Sequence, residues 1–162
     1  MAKAGRLPRT PGTLRRGMAT LRILSGREAS IFACLTDAVV APEPLLPPVR
    51  ETDAVAFFDR WLALLPRPNR IGLRALLLAA ELGPLATGAG ARLRRLDRAR
   101  RADWVRGVEQ SRNGHVRLLA KLVESAAQVS YYGNDEVLGR LGYDAEANLR
   151  RGRELREREG RP

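Results

Sequence analysis

The stretch SGREASIFACLTDAVVAPE, residues 25–43, decides the fold class, because it carries the start, the interior and the end of one helix. A Ser followed by a Glu three residues later is a capping box, in which each side chain bonds to the other residue's amide. Apolar residues then recur at helical spacing from Ile31 onwards. Pro42 stops the pattern, because the residue before a proline disfavours helical geometry. The stretch predicts a helix that starts after Ser25 and ends at Ala41.

The same helical rhythm recurs along the rest of the chain. A stripe of apolar residues follows Thr52, an almost wholly apolar segment with Asn69 as its cap spans 70–82, and a further pattern begins at Asp97. The next helix has apolar residues from Val116 to Val129 on one face, and Asn134 or Asp135 starts a short helix. Leu and Ala are abundant and β-branched residues are sparse, which favours helix over sheet. The sequence therefore predicts an all-α protein, a single bundle of about five core helices, with segment 70–82 buried at its centre.

Length and charge divide the chain into three parts. The 162 residues fit one domain with a modest core. Residues 1–23 are basic and lack helical apolar periodicity, which predicts a flexible arm. Residues 24–145 hold the helical domain. Residues 146–162 form a polar tail helix rich in Arg and Glu, which has little apolar surface to bury and is predicted to lie on something else.

The formal net charge of +11 favours an acidic partner surface. The excess lies in the arm, in the tail and in segment 92–101, which holds six arginines against Asp97. Arginine contacts to phosphate give salt-sensitive, sequence-independent binding. However, no signature of a nucleic-acid recognition module is present, and no aromatic residues alternate with these arginines. Binding to nucleic acid or another anionic surface is the alternative function, and specific nucleic-acid binding is not expected.

Residue types that carry catalysis or bind metals are sparse. His115 is the only histidine and Cys34 the only cysteine, so the sequence offers no Cys/His metal site and no intrachain disulfide. His115 lacks a partner motif for nucleophilic catalysis, and Cys34 lies on or beside an apolar face. The Gly-rich segment 83–96 lacks the Gly-Lys-Ser/Thr ending of a phosphate-binding loop. We expect no catalytic, cofactor-binding or metal-binding residue in this chain.

The N-terminal region bears on the compartment. Arg15 and Arg16 form a pair like that of a twin-arginine export signal. The apolar stretch that follows such a pair is missing here, because Arg22 and Arg27 interrupt it. A cytoplasmic location is therefore favoured over export as part of a complex. No segment reaches the roughly 20 apolar residues that span a bilayer, so no transmembrane segment is expected.

All three tyrosines of the chain fall within VSYYGNDEVLGRLGY, residues 129–143. A tyrosine buries a large ring and keeps a hydroxyl for a polar partner, so it is suited to interfaces. Two interpretations stay open: the tyrosines close one end of the bundle, or they bind a partner. The candidate partner interface consists of five residues: Tyr131, Tyr132, Leu141, Gly142 and Tyr143.

Three features, in this order, carry a family resemblance. The opening helix ends in Asp37-Ala38-Val39-Val40 ahead of a proline-containing connector. AVAFFDRWLALLP, residues 54–66, precedes an Ala/Leu helix and the Arg-rich region from Leu93 to Trp104. A tyrosine pair is then followed about ten residues later by Leu-Gly-Tyr. Together these features, spread over about residues 24–145, resemble the small-subunit family typified by gluconate 2-dehydrogenase subunit 3.

The resemblance implies a helical accessory subunit that binds no cofactor itself. Members of the family look like partners of a large, FAD-carrying catalytic subunit of the glucose-methanol-choline (GMC) oxidoreductase class. Their implied role is to support the folding, stability or export of that subunit. FAD is therefore expected in the partner, and this chain is expected to be no enzyme by itself. The family often carries a complete twin-arginine signal, from which this sequence departs.

Overall fold

The computed structural model describes residues 21–40 and 46–160, and these ranges form an all-α fold without strands, which confirms the predicted fold class. The described ranges contain seven α-helices: α1 (Gly26–Val39), α2 (Ala54–Leu64), α3 (Arg67–Ala86), α4 (Arg98–Glu109), α5 (Gly114–Tyr132), α6 (Asp135–Arg140) and α7 (Ala145–Arg158). Two single-turn 3-10 helices, Val49–Glu51 and Leu93–Arg95, lie in the connections before α2 and α4.

Helix α1 begins with the predicted capping box. The Glu28 amide donates to Ser25 Oγ at 3.3 Å, and the Ser25 amide donates to Glu28 Oε2 at 2.8 Å. The helix ends at Val39, with Val40 as its C-cap in extended geometry. The predicted end at Ala41 lies outside the described residues, and the helix has already stopped two residues before it.

The centre of the bundle is α1, which packs against α2, α3, α4 and α5. The ring of Phe32 stacks on that of Phe58 in α2, with centroids 3.9 Å apart. Burying a side chain of this size contributes about 1.5–3 kcal/mol. The main core cluster consists of eight buried side chains: Leu24, Ile31, Phe32, Leu35, Phe58, Leu62, Leu77 and Leu93.

Helix α3 differs from its prediction in its bounds. It begins at Arg67, one turn before the expected start, with Pro66 and not Asn69 at its N-cap. It also continues through Pro84 to Ala86 instead of ending at residue 82. A proline removes one amide donor, so the Ala80 carbonyl, four residues before Pro84, loses its helical hydrogen bond. Here the chain closes the helix with a turn in which the Ala89 amide donates to the Pro84 carbonyl at 2.8 Å.

The prediction that segment 70–82 is the buried centre of the bundle is wrong. Within α3 only Leu77, Glu81 and Pro84 are buried. One side of α3 packs on α1, whereas the opposite side, which is just as apolar, is exposed. Apolar residues all round a helix therefore do not mark it as central in this chain.

Asp59 fixes the segment that precedes α1. Its carboxylate accepts hydrogen bonds from the backbone amides of Arg22, Ile23 and Leu24, at 2.7, 3.0 and 2.8 Å. Burial alone would raise the pKa of Asp59, but these amide bonds outweigh burial and lower the pKa below its ordinary value. Residues 21–23, the last three of the predicted arm 1–23, are thus attached to the bundle, and residues 1–20 lie outside the described residues.

The predicted tail helix is present as α7. Asp144 caps it by accepting from the Ala147 amide at 3.0 Å. The helix makes only sparse contacts with the other elements, and its two leucines, Leu149 and Leu155, are exposed. As the sequence suggested, α7 buries little apolar surface against its own chain.

Candidate partner interface

The five predicted interface residues differ in how deeply they are buried. Tyr131 is 0% exposed and belongs to a second core cluster with Val40, Val49 and Val137. Its hydroxyl donates to the buried Pro47 carbonyl at 2.6 Å. Tyr131 is therefore a core residue that joins the end of α5 to the connector before α2, and neither its ring nor its hydroxyl is available to a partner.

Three of the other predicted residues are exposed. Tyr132, Leu141 and Tyr143 are 37%, 54% and 52% exposed, and Val129, one turn before Tyr132 on α5, is 60% exposed. Val129 had been predicted to lie on the packed face of α5. We call these four residues, Val129, Tyr132, Leu141 and Tyr143, the C-terminal surface. Tyr132 also contacts the core, because its ring meets that of Tyr131 edge to face, with centroids 5.1 Å apart.

Gly142 has a conformational role between Leu141 and Tyr143. Its φ is +70°, in the left-handed region that favours glycine. The Tyr143 amide donates to the Leu138 carbonyl at 2.9 Å, and the Gly142 amide donates to the Gly139 carbonyl at 3.1 Å. This pattern is the Schellman turn that ends a helix. The Leu-Gly-Tyr motif therefore ends α6 and fixes the direction in which the chain leaves it.

Sequence reasoning missed Asp53 as a residue that positions this region. Asn134 caps α6, and its side-chain amide also donates to Asp53 Oδ1 at 2.7 Å, which ties α6 to the start of α2. Burial raises the pKa of Asp53, but hydrogen bonds from Asn134 and Arg60 outweigh it, so the pKa lies below its ordinary value. Asn134 was predicted as a cap from its local spacing, whereas nothing in the sequence marks its contact with Asp53.

Much of the Arg-rich segment bonds to the fold itself. Arg94 forms an ion pair with buried Glu81 at 3.0 Å. Arg98 and Arg101 both approach the carboxylate of Asp37, at 3.6 and 3.5 Å. These ion pairs join α1 to α4, and α3 to the connection before α4. Fewer arginines of this segment are therefore available to contact phosphate than the sequence suggested.

Helix α3 presents a second apolar surface, which we call the α3 face. Every exposed residue of α3 after Arg70 is apolar: Ile71, Gly72, Ala75, Leu78, Ala79, Leu82, Leu85 and Ala86. The two charged residues in this part of the helix are directed elsewhere. Arg74 bonds to Glu28 at 2.8 Å, and Glu81 bonds to Arg94. A surface helix normally presents polar residues on its outer side, so this face is exceptional.

The single cysteine and the single histidine of the chain lie in different environments. Cys34 is partly buried, and burial raises the pKa of its thiol. His115 is exposed in the first turn of α5. Among the residues that the structure describes, no group of three or more His, Cys, Asp or Glu side chains is placed to hold a metal ion. None of the described helices is both long enough and apolar enough to cross a membrane.

No protein-family model matches this chain, and neither a curated protein nor a solved structure matches it. The resemblance to the gluconate 2-dehydrogenase subunit 3 family therefore stays a prediction from the three motifs.

Proposed function

We propose that this protein is a non-catalytic accessory subunit that binds the FAD-carrying catalytic subunit of a GMC-type oxidoreductase and stabilises it or assists its maturation. The observation that supports a protein-binding role is the C-terminal surface, whose four large apolar or aromatic side chains remain exposed between the end of α5 and the start of the tail helix. The choice of a flavoprotein partner rests on the motif resemblance. FAD belongs to the partner in this proposal, and the cytoplasmic location is part of it.

The chemistry of the C-terminal surface suits a protein partner. Exposed tyrosines supply large, rigid contact area, and truncating a tyrosine at the buried centre of an interface to alanine can cost about 2 kcal/mol or more of binding free energy. Tyr132 is already held on one side by Tyr131, so it loses little freedom when a partner covers it. Helix α7 has too few contacts in its own chain to account for its amphipathic sequence, and a partner would bury Leu149 and Leu155.

The charge of the chain indicates an acidic rim on the partner. Arginines of α7 such as Arg150 and Arg153 are exposed. Charges at the rim of an interface accelerate association more than they increase affinity. We therefore expect the complex to form faster at low salt than at high salt.

The test is to purify the affinity-tagged protein at its native level and to identify a co-eluting flavoprotein by mass spectrometry and by its FAD absorbance. Tyr132→Ala and Tyr143→Ala should each reduce the co-eluting flavoprotein. Leu118→Ala is the matched control, because Leu118 is exposed on the same helix about three turns before Val129. All variants are first checked for an unchanged helical melt.

Two results would contradict the proposal. One is the absence of any flavoprotein in the wild-type eluate. The other is wild-type recovery of the flavoprotein with both tyrosine variants. Nucleic-acid binding is tested in parallel with duplex DNA at physiological salt, for which we expect only the non-specific range of roughly 10⁻⁴–10⁻⁶ M. Sub-micromolar, sequence-selective binding would favour the alternative function.

A further inference from the structure

The exposed side chains of the α3 face follow the spacing of a coiled-coil seam. Ile71, Ala75, Leu78, Leu82 and Leu85 are separated by four, three, four and three residues. This alternation keeps them in one line along a helix, as the a and d positions of heptads do. The line extends over about 21 Å, from the helical rise per residue.

The residues on one side of this seam are small: Gly72, Ala79 and Ala86 are exposed there, one heptad apart. On the other side lie Arg74, which bonds to Glu28, and Glu81, which bonds to Arg94. The small residues let a second helix approach closely on their side of the seam. No charged side chain is exposed within the seam, so a polar partner segment would lose its hydration there without replacement hydrogen bonds. The face is therefore shaped for another apolar helix.

We propose that the α3 faces of two copies of this protein pack against each other in antiparallel orientation and form a homodimer. A two-fold symmetric contact requires a surface that is complementary to itself. The seam is centred on Leu78, with the small Ala75 on one side of it and the large Leu82 on the other. Antiparallel packing about Leu78 sets Ala75 of each copy opposite Leu82 of the other, and Ile71 opposite Leu85.

The charges at the ends of α3 favour the same orientation. The first turn of α3 holds the exposed Arg67 and no acidic residue, and its last turn holds no basic residue. A helix dipole is stabilised by acidic residues in the first turn and by basic residues in the last turn. Antiparallel pairing brings Arg67 of each copy to the carbonyl end of the other α3. Parallel pairing would place the two Arg67 side chains next to each other.

The dimer is expected to be of moderate affinity and to depend on salt in a characteristic way. One helix from each copy, with a seam of about 21 Å, forms a small interface. The net charge of +11 on each copy opposes association, and salt screens that repulsion. Dimerisation should therefore strengthen as salt rises, whereas binding to an acidic partner should weaken. The dimer uses the α3 face and not the C-terminal surface. A result that contradicts the dimer therefore leaves the proposed function unaffected, and the reverse also holds.

The experiment is sedimentation velocity of the full chain from low micromolar to several hundred micromolar protein, in low and in high NaCl. The wild type should show a monomer–dimer equilibrium that tightens with salt. The variant with Leu78→Gln and Leu82→Gln should weaken dimerisation at least tenfold. The control with Leu118→Gln and Leu122→Gln changes two leucines that are also exposed, on α5, and should dimerise like the wild type. Because all four leucines are exposed, both variants should keep the wild-type melt.

Orientation is tested with Cys34→Ser as background. Ile71→Cys and Leu85→Cys are prepared separately, mixed and joined by a short bis-maleimide. Antiparallel packing gives the Ile71→Cys to Leu85→Cys adduct in excess over either symmetric adduct. A wild type that stays monomeric throughout, an equal loss of dimer in the α5 control, a dimer that survives in the α3 variant, or mainly symmetric adducts would each overturn the proposal.

Discussion

The indole ring of Trp104 in α4 lies directly against Gly83 in α3, so that a Cβ atom on residue 83 would overlap the ring. The indole is also packed against the main core cluster. A glycine within a helix is normally unfavourable by about 1 kcal/mol relative to alanine. At this position the missing side chain is what allows α4 to contact α3.

We predict that Gly83→Ala destabilises the protein although alanine is the better helix former. Displacing a rigid indole from a packed site costs about 1–3 kcal/mol, which exceeds the gain in propensity. Gly107→Ala is the matched control, because Gly107 lies within α4 with open space around it. It should stabilise by up to about 1 kcal/mol. Urea unfolding measures the free energy of unfolding of both variants. A similar gain in stability for both would contradict the close contact between Trp104 and residue 83.

Tyr131→Phe removes the hydroxyl that donates to the Pro47 carbonyl at 2.6 Å. The ring is retained, but a buried carbonyl loses its hydrogen bond, so we expect a loss of about 1–2 kcal/mol in the free energy of unfolding. Tyr132→Phe makes the same chemical change at an exposed tyrosine and should be close to neutral. Chemical denaturation measures both, and equal effects would argue against a special role for the buried hydroxyl.

The stability of the protein should depend on the ionisation of Asp59. Its folded-state pKa lies below the ordinary value of 3.8, so its carboxylate contributes fully above that value, and the contribution is lost as the pH falls through the folded pKa. The reason is that the unfolded chain takes up the proton first. As the pH falls below about 5, the free energy of unfolding of Asp59→Asn should therefore decrease less steeply than that of the wild type.

Asp103→Asn is the control for this pH dependence, because Asp103 is exposed and pairs with Arg106 in the same helix. Thermal melts from neutral to acidic pH compare the three proteins. NMR titration of the Asp59 carboxyl gives its folded pKa directly. A pKa at or above the ordinary value would refute the assignment of its three amide bonds.

The Glu81–Arg94 pair should contribute far more than a surface ion pair. Arg94→Ala leaves the Glu81 carboxylate buried without its cation, and breaking a buried pair in this way costs about 3–5 kcal/mol. Arg106→Ala breaks the exposed pair with Asp103 and should cost about 1 kcal/mol at most. Thermal denaturation distinguishes them, and a small loss for Arg94→Ala would show that Glu81 finds another partner.

Local features of this fold were predictable from the sequence, because cap and helix lie within a few residues of each other. Ser25, Asp97 and Asn134 were each predicted at the start of a helix, and each accepts a backbone hydrogen bond there. Pattern alone could not find the partners of Asp59 and Tyr131. Their hydrogen bonds join residues that are more than 30 positions apart along the chain.

The burial of α3 and of the tyrosines could not be predicted for a different reason. A helix that is apolar all round gives no indication of which side meets the core, so segment 70–82 was assigned to the centre. Two adjacent tyrosines on a helix point about 100° apart, so a difference of one position along the helix determines which of the two faces the core. Tyr131 faces the core and Tyr132 faces outward. The bundle-closing interpretation therefore applies to Tyr131, whereas partner binding by Tyr132 stays a prediction.

The central position of α1 has a consequence for biosynthesis. Helix α1 leaves the ribosome before α5, one of its main packing partners, which ends at Tyr132, about 90 residues after α1 ends. At roughly 5–20 residues per second, translation leaves the apolar side of α1 without its full cover for on the order of 5–20 s. During this interval Ile31, Phe32 and Leu35 are accessible to chaperones and to other nascent chains. A chain that ends before α5 is complete would keep this apolar side of α1 open.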